Sequence, residues 1–409
     1  MRSCVKSVDL NEQQIQWKDS KKYLWLLGIA MLTLPMTAIF MYEWFQHEIF
    51  FWYGVIQLIL ITPVVELLSG EDESNPPESV VQVLDKDPYY PFAVQISVYG
   101  LYVSFIYTCW YIANHDLSWI SYFGLSWTAA ISSGIAINTA HELGHKRSLF
   151  SRWLAKFTLA PVFYGHFFVE HNKGHHVHVS TPNDPATSRF NETFWQFLPR
   201  TVIGSIRSAC EIENKRLKAK KKSFWTIENE VLHSWLLSVI LWGGVVATFG
   251  FQMIPFLLIQ SILGFSMLEI VNYIEHYGLE RKKLPSGRYE MCQVEHSWNS
   301  NSIASNIFLY QLQRHADHHA HPGRSYQSLR HFPSSPQLPS GYGTMILVAL
   351  VPPLWFKMMN PKVLAYYQLA QENEKLKLVK NDHDINQNDQ GNGKQVSREE
   401  KIEYKKVSG

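Results

Sequence analysis

Long apolar runs constrain this chain more than any other feature. Tyr23–Tyr42, Ile49–Leu68, Pro91–Ala113, Trp119–Ala140, Leu232–Gly250 and Met253–Tyr277 are each close to the length of a bilayer span and nearly free of charge. A hydrocarbon core is crossed by about 20 apolar residues of helix. Within it every backbone polar group must be satisfied inside the segment itself. These runs therefore predict an all-α integral membrane protein with six transmembrane helices. Glu66, Glu269 and Glu275 interrupt the apolar character, and an acid inside a span marks a functional position.

The net charge of +2 says little, but its distribution sets the orientation. With the N-terminus inside, the outer loops are Glu43–Glu48, Asn114–Ser118 and Phe251–Gln252, and none contains lysine or arginine. The positive-inside rule then puts both termini in the cytoplasm, with the cell inner (plasma) membrane as the expected location. Phe157–Glu170 is apolar but too short to span. Crossing there would export the basic stretch Lys215–Lys222, so it reads as a short helix that dips into the protein or lies at the interface. Thr344–Met358 is broken by Pro352-Pro353 and reads as interfacial.

The organisation expected is a cytoplasmic segment (1–22), four spans (23–140), a cytoplasmic catalytic segment (141–231), two spans (232–277), a second catalytic segment (278–370) and a disordered tail (371–409). The N-terminus has no cleavable signal-peptide pattern. The four cysteines, Cys4, Cys109, Cys210 and Cys292, form no CxxC pair and suggest no disulfide framework. With 18 histidines in the chain, any metal should be bound through nitrogen. No nucleic-acid partner is expected.

Nine histidines fall in four runs: His141 and His145; His171, His175 and His176; His276; and His315, His318 and His319. Imidazole is the commonest metal ligand. In an α-helix residues four apart share a face, which pairs His141 with His145 and His171 with His175. His315 meets His318 at three and His319 at four, and the two doublets add a second direction. Spans four and six both end in the cytoplasm, immediately before His141 and at His276, so all four runs can meet in one histidine-rich cap. Ligating imidazoles need their other nitrogen fixed by a polar group. Glu142, Asp184, Asn272, Glu275 and Asp317 are candidates. Nine imidazoles exceed the needs of one four-coordinate zinc and match two ions with four or five nitrogens each. Open positions beside nitrogen ligands suit iron that binds oxygen, with copper and zinc left open by ligand type.

Most other histidines read as structural or solvated; His321 is nearer the third cluster, which it follows by two residues. His141-Glu142-Leu143-Gly144-His145 also fits the His-Glu-x-x-His pattern of zinc peptidases, with the glutamate as base. That reading leaves most of the other seven histidines without a task. A non-catalytic metal-binding or transport protein is a third possibility.

The motifs resemble those of the integral-membrane diiron desaturases and hydroxylases, and among them the alkane 1-monooxygenase family. The resemblance rests on Asn138–Lys146, Glu170–His176, Asn272–Gly278 and Leu312–Ala320, with Thr181–Ser188 and His296–Asn301 also similar, and runs from about Lys21 to Leu364. The Asn-Tyr-x-Glu-His-Tyr-Gly element separates alkane hydroxylases from desaturases. The resemblance implies a non-haem centre of two iron ions held by the nine histidines. It also implies hydroxylation of the terminal methyl of medium- to long-chain n-alkanes with O2, and electrons from rubredoxin and its reductase. With no CxxC pair in the chain, that donor is expected to be a separate protein. Lys215–Lys222 is a candidate dock for it, or for anionic membrane lipid. The family suggests a chain-length position on span two near Leu58. A fatty-acyl desaturase or a methyl-aromatic hydroxylase would share the scaffold.

Overall fold

The computed structural model describes residues 6–10 and 13–372, with side chains from Trp17 onward. The tail expected to be disordered lies outside the described residues, except for its first two, which complete the helix Pro352–Glu372. The described residues up to Trp355 form one compact unit, and those from Phe356 to Glu372 belong to a second and are helical. Among the described residues the only strands are Lys6–Leu10 and Gln13–Trp17, an antiparallel hairpin ahead of an otherwise helical chain.

The first apolar run is not one straight span. It divides into α1 (Lys22–Leu32) and α2 (Leu34–Phe45), bent by 68°. Pro35 has no N–H with which to continue the ladder from α1, and the carbonyl of Leu32 is taken by Ser132 Oγ at 2.7 Å. The second span, α3 (Glu48–Ser69), contains a π-turn at Gln57–Ile61 just ahead of Pro63, another residue without a donor. Beyond the short α4 (Glu78–Asp85) come α5 (Tyr89–Asn114) and α6 (Trp119–Gly144). The segment read as dipping inward becomes α7 (Leu149–Leu159), a turn, and a helix over 167–178, α8. The polar gap is mostly one 26-residue helix, α9 (Phe194–Ala219), started by a reciprocal cap between Thr193 and Gln196. The last two spans are α10 (Glu230–Phe249) and α11 (Met253–His276).

Among the described residues five of these helices are single segments long and apolar enough to cross a membrane; two bent pairs, α1 with α2 and Tyr342–Ala349 with Pro352–Glu372, would bring the number to as many as seven, against the six expected. Their outward residues are apolar too. Leu60 and Leu67 on α3, Val103 on α5 and Ile240 on α10 are exposed, which is the surface that lipid requires.

The contact that aligns the site is between α6 and α11. A Cβ on Gly134 would lie 2.7 Å from the carbonyl oxygen of Gly264, so only glycine allows this approach. Both helices run toward the cap, delivering His141 and His276 to the same end. The cap itself consists of α12 (Ile303–Phe308), α13 (His315–Ala320), α14 (Tyr342–Ala349) and ordered loops. Arg314, buried just ahead of α13, donates to the carbonyls of Asp72, Ser74 and Leu329 at 2.8–3.0 Å.

Candidate metal centre

The nine clustered histidines come together as two groups that share no member: His141, His145, His171, His176 and His318 in one, and His175, His276, His315 and His319 in the other. Within the first, Nε2 of His141 lies 2.9 Å from that of His318, His318 3.1 Å from His176, and His176 3.0 Å from His171. Within the second, the corresponding separations are 3.2 Å (His175–His319), 2.8 Å (His319–His315) and 3.3 Å (His315–His276). Two nitrogens bound at right angles to one first-row ion, by bonds of about 2.1 Å, sit about 3.0 Å apart. The Nε2 of His145 is buried with no hydrogen-bond partner, as a metal-facing atom would be. The donor set and its spacing therefore fit one ion per group.

Six of the nine imidazoles are pushed toward the neutral form. Burial, then neighbouring imidazoles, holds His171, His176, His315, His318 and His319 well below the usual histidine range. Burial followed by Lys146 and His175 pushes His145 down to about 3. Neutral rings keep the lone pair that a metal needs.

The grouping departs from α-helical spacing in one place. His171 does not join His175, four residues on, but His176, five on. Residues His171–His175 form a π-turn, closed by a bond from the His176 amide to the His171 carbonyl. The wider turn puts positions five apart on one face and sends His175 to the other group. Gly174 sits at the crowded side of this turn, where a Cβ would be 2.7 Å from Glu170 Oε1 and 3.0 Å from Ser208 Oγ. On α13, His315 and His319 share a group at the expected spacing of four, and His318 faces the other.

Of the polar residues expected behind the rings, Asp184 is there. Its Oδ2 accepts from His175 Nδ1 at 2.9 Å and from Thr187 Oγ1 at 2.5 Å, and its Oδ1 accepts from the Ala186 amide at 3.1 Å. Burial opposes its charge, but His175 and Thr187 outweigh that and hold the carboxyl below its ordinary range. Glu275 is at the site in a different posture: its Oε2 lies 3.1 Å from Nε2 of His315, on the ligating side, and Oε1 accepts from Tyr342 at 2.6 Å.

Three expectations need correction. Glu142 pairs with Lys146 at 2.5 Å and takes the Tyr326 amide at 3.5 Å. Asn272 donates to Glu269 at 3.3 Å. Asp317 binds His321, Arg324 and the Arg330 amide. None bonds a clustered ring: Lys146 and Glu269 claim the first two, and Asp317 braces α13 from its far side. His321 thereby belongs to this brace and to neither group.

Two contributors had no local signal. Tyr342 lies 67 residues from the carboxylate it holds. Ser297, whose Oγ is 3.5 Å from Nδ1 of His276, falls in a stretch singled out only by resemblance.

An apolar cavity of about 80 Å³ is walled in part by Asn138, one helical turn before His141, and by Leu312, three residues before His315. Leu58, Met31, Ile135, Asn138, Val271 and Leu312 are among its walls, so the chain-length candidate does face this space.

A bundle of membrane helices capped by two imidazole groups defines a class, the membrane-bound histidine-cluster enzymes. The family model described as fatty acid desaturase matches residues 117–348. Within that class the chain belongs to the alkane 1-monooxygenase family. It is 44% identical over 353 residues to the alkane 1-monooxygenase of Acinetobacter baylyi, covering 86% of both chains. It is 44% identical to that of Pseudomonas putida, covering 85% of this chain and 87% of the relative. The hydroxylase component of the Pseudomonas putida xylene/toluene monooxygenase is 28% identical over 58% of this chain.

Proposed function

We propose that the protein is a rubredoxin-dependent monooxygenase that converts n-alkanes of medium to long chain to 1-alkanols: R–CH3 + O2 + 2 e⁻ + 2 H⁺ gives R–CH2OH + H2O. The observation that carries this reading is a pair of imidazole groups on helices that, one turn before His141, also wall an apolar cavity. A terminal methyl offers no handle for acid–base or nucleophilic chemistry, so a metal-activated oxidant must supply the reactivity. The two groups would each hold one iron, which when bound supplies that oxygen chemistry. The protein's own residues align the substrate. Met31, Leu58, Ile135 and Val271 exclude water and admit a chain end-on, and Asn138 and Leu312 mark the end nearest the histidines. Asp184 fixes His175 with its Nε2 free to ligate.

The Glu142–Lys146 pair weighs against the peptidase reading, because a general base would not be tied to a lysine. The site faces the cytoplasm of the inner membrane in this reading, supported by the absence of lysine and arginine from the three outer loops. The decisive experiment is metal analysis of purified protein together with dodecane turnover driven by rubredoxin and its reductase. Two irons per chain and 1-dodecanol are expected; one zinc and no alcohol would overturn the reading. Parallel assays with an acyl substrate and a xylene separate desaturase and methyl-aromatic activities.

A further inference from the structure

The chain leaves the metal site after His276 and returns to it at Ser297, and what lies between is a basic hairpin. Lys283 bridges Tyr289, the Leu284 amide donates to the Arg288 carbonyl at 2.8 Å, and Gly287 makes the turn at φ +79°. Both ends are fixed to the site. Ser297 reaches His276, and the Trp298 amide donates to the Glu275 carbonyl at 2.8 Å. A third tether comes from Arg281, which donates to the Val177 carbonyl at 2.7 Å and the Glu290 carbonyl at 3.1 Å. Val177 directly follows His176 and is 57% exposed, so this is a place where solvent comes within a residue of the histidines.

Lys282, Lys283 and Arg288 are exposed along the hairpin, as are the apolar Leu284 and Met291. Among the described residues no carboxylate pairs with Lys283 or Arg288. The other basic stretch, Lys215–Lys222, is partly neutralised, although no carboxylate pairs with Lys215, Lys218 or Lys221 among the described residues. Arg216 is paired with Glu213, and Lys220 and Lys222 with Glu228. Beside it Trp225 is 81% and Ile227 87% exposed just before α10 enters the membrane. A tryptophan with an apolar neighbour at that level suits the lipid interface.

We propose that the hairpin 280–291, with Val177 and His178, is the docking surface for the electron donor, a small acidic one-electron carrier protein. The proposal rests on the monooxygenase reading above. Lys283 and Arg288, which no carboxylate pairs among the described residues, with exposed Leu284 and Met291 nearby, suit an acidic partner, whose encounter they steer. The tethers to Val177, Glu275 and His276 give the docked donor a short covalent and hydrogen-bonded route to both groups.

The test is the charge-reversed double variant Lys283→Glu/Arg288→Glu in the full-length, iron-loaded protein, with Lys218→Glu/Lys221→Glu as comparison. Turnover is measured against rubredoxin concentration at low and high salt, beside turnover with a small-molecule photoreductant and direct binding of oxidised rubredoxin. The hairpin variant should raise the KM and the Kd for rubredoxin at least tenfold at low salt. Its iron content and its photoreductant-driven rate should not change. Weakening of the wild type by salt should largely disappear in the variant. An unchanged Kd in the hairpin variant, or a tenfold loss in the Lys218/Lys221 variant instead, overturns the proposal. Binding through the hairpin by a wild-type protein that hydroxylates nothing would retain the surface and sink the reaction, which keeps the two failures distinct.

Discussion

Replacing Asp184 by asparagine should selectively loosen one of the two metals. Asp184 is fully enclosed and touches a single clustered ring, His175, in the four-histidine group. The substitution keeps the volume and an acceptor oxygen, but removes the negative charge that raises the basicity of the ring. Loss of such an outer carboxylate weakens metal affinity by about 10- to 100-fold, or about 1.4–2.7 kcal/mol. Asp184→Ala should be worse, because it also strands the buried His175 N–H and the Thr187 hydroxyl, at about 1–3 kcal/mol for each group left without a partner. The assay is a chelator titration of purified protein, following metal per chain. The wild type should hold both ions until the chelator is strong, whereas Asp184→Asn should fall toward one ion at a chelator strength about 10- to 100-fold lower. Asp317→Asn is the control, since that carboxylate also lies in a histidine run but binds His321 and Arg324; it should lower stability without a selective loss of one ion. If Asp184→Asn retains both ions through the same titration as the wild type, the argument that the ring needs this carboxylate is wrong.

Other perturbations probe other links in the chain of reasoning. Gly134→Leu puts a side chain where even a Cβ would meet the Gly264 carbonyl at 2.7 Å; α6 and α11 should separate, and iron content should fall along with thermal stability. Gly174→Val should disturb the π-turn and cost about 1–3 kcal/mol by overpacking against Glu170 and Ser208, with both ions affected because His175 ends the turn and His176 follows it, one in each group; unchanged melting and metal content would exclude a tight fit there. Leu58→Trp should abolish turnover of the longest alkane the wild type accepts and spare shorter ones, read by gas chromatography of the alcohols. Glu213 gives a pH-dependent test: burial works against its charge, but Arg216, the Glu230 amide and Lys173 together hold its carboxyl at about 2, against 4.5 when unperturbed. A lowered carboxylate stabilises the fold fully above its unfolded value and loses that stabilisation as pH falls from about 4.5 toward 2. Glu213→Gln should therefore cost about 3 kcal/mol at neutral pH, a deficit against the wild type that shrinks below about pH 4.5 in chemical denaturation.

The spans were readable because a helix that meets lipid must be apolar along its whole length, and few other structures leave that mark. The break at Thr33 carried a clue in Pro35, but its size depended on Ser132 drawing off the Leu32 carbonyl, a partner 100 residues away. The nine histidines were conspicuous, whereas their division was not. An α-helical wheel pairs His171 with His175, and no residue type announces a π-turn; the crowding of Gly174 by Glu170 and Ser208 appears only after α9 packs against α8. The same holds for the outer polar groups. Asp184 lies nine residues from the ring it orients, while Glu142 and Asp317 sit inside the histidine runs and face away, taken by Lys146 and by Arg324. Proximity in sequence to a ligand was a poor guide to contact with it.

The two histidine doublets have a mechanical consequence. His175 and His176 are neighbours in the chain yet belong to different groups, and so do His318 and His319. Their ring centroids stand 6.0 and 5.6 Å apart. Each doublet acts as a rung, with one peptide unit as its spine, and the two rungs come from separate helices, α8 and α13. No histidine belongs to both groups, so these two stretches of backbone tie one group to the other. A shift of either stretch of backbone therefore moves a ring in both groups at once.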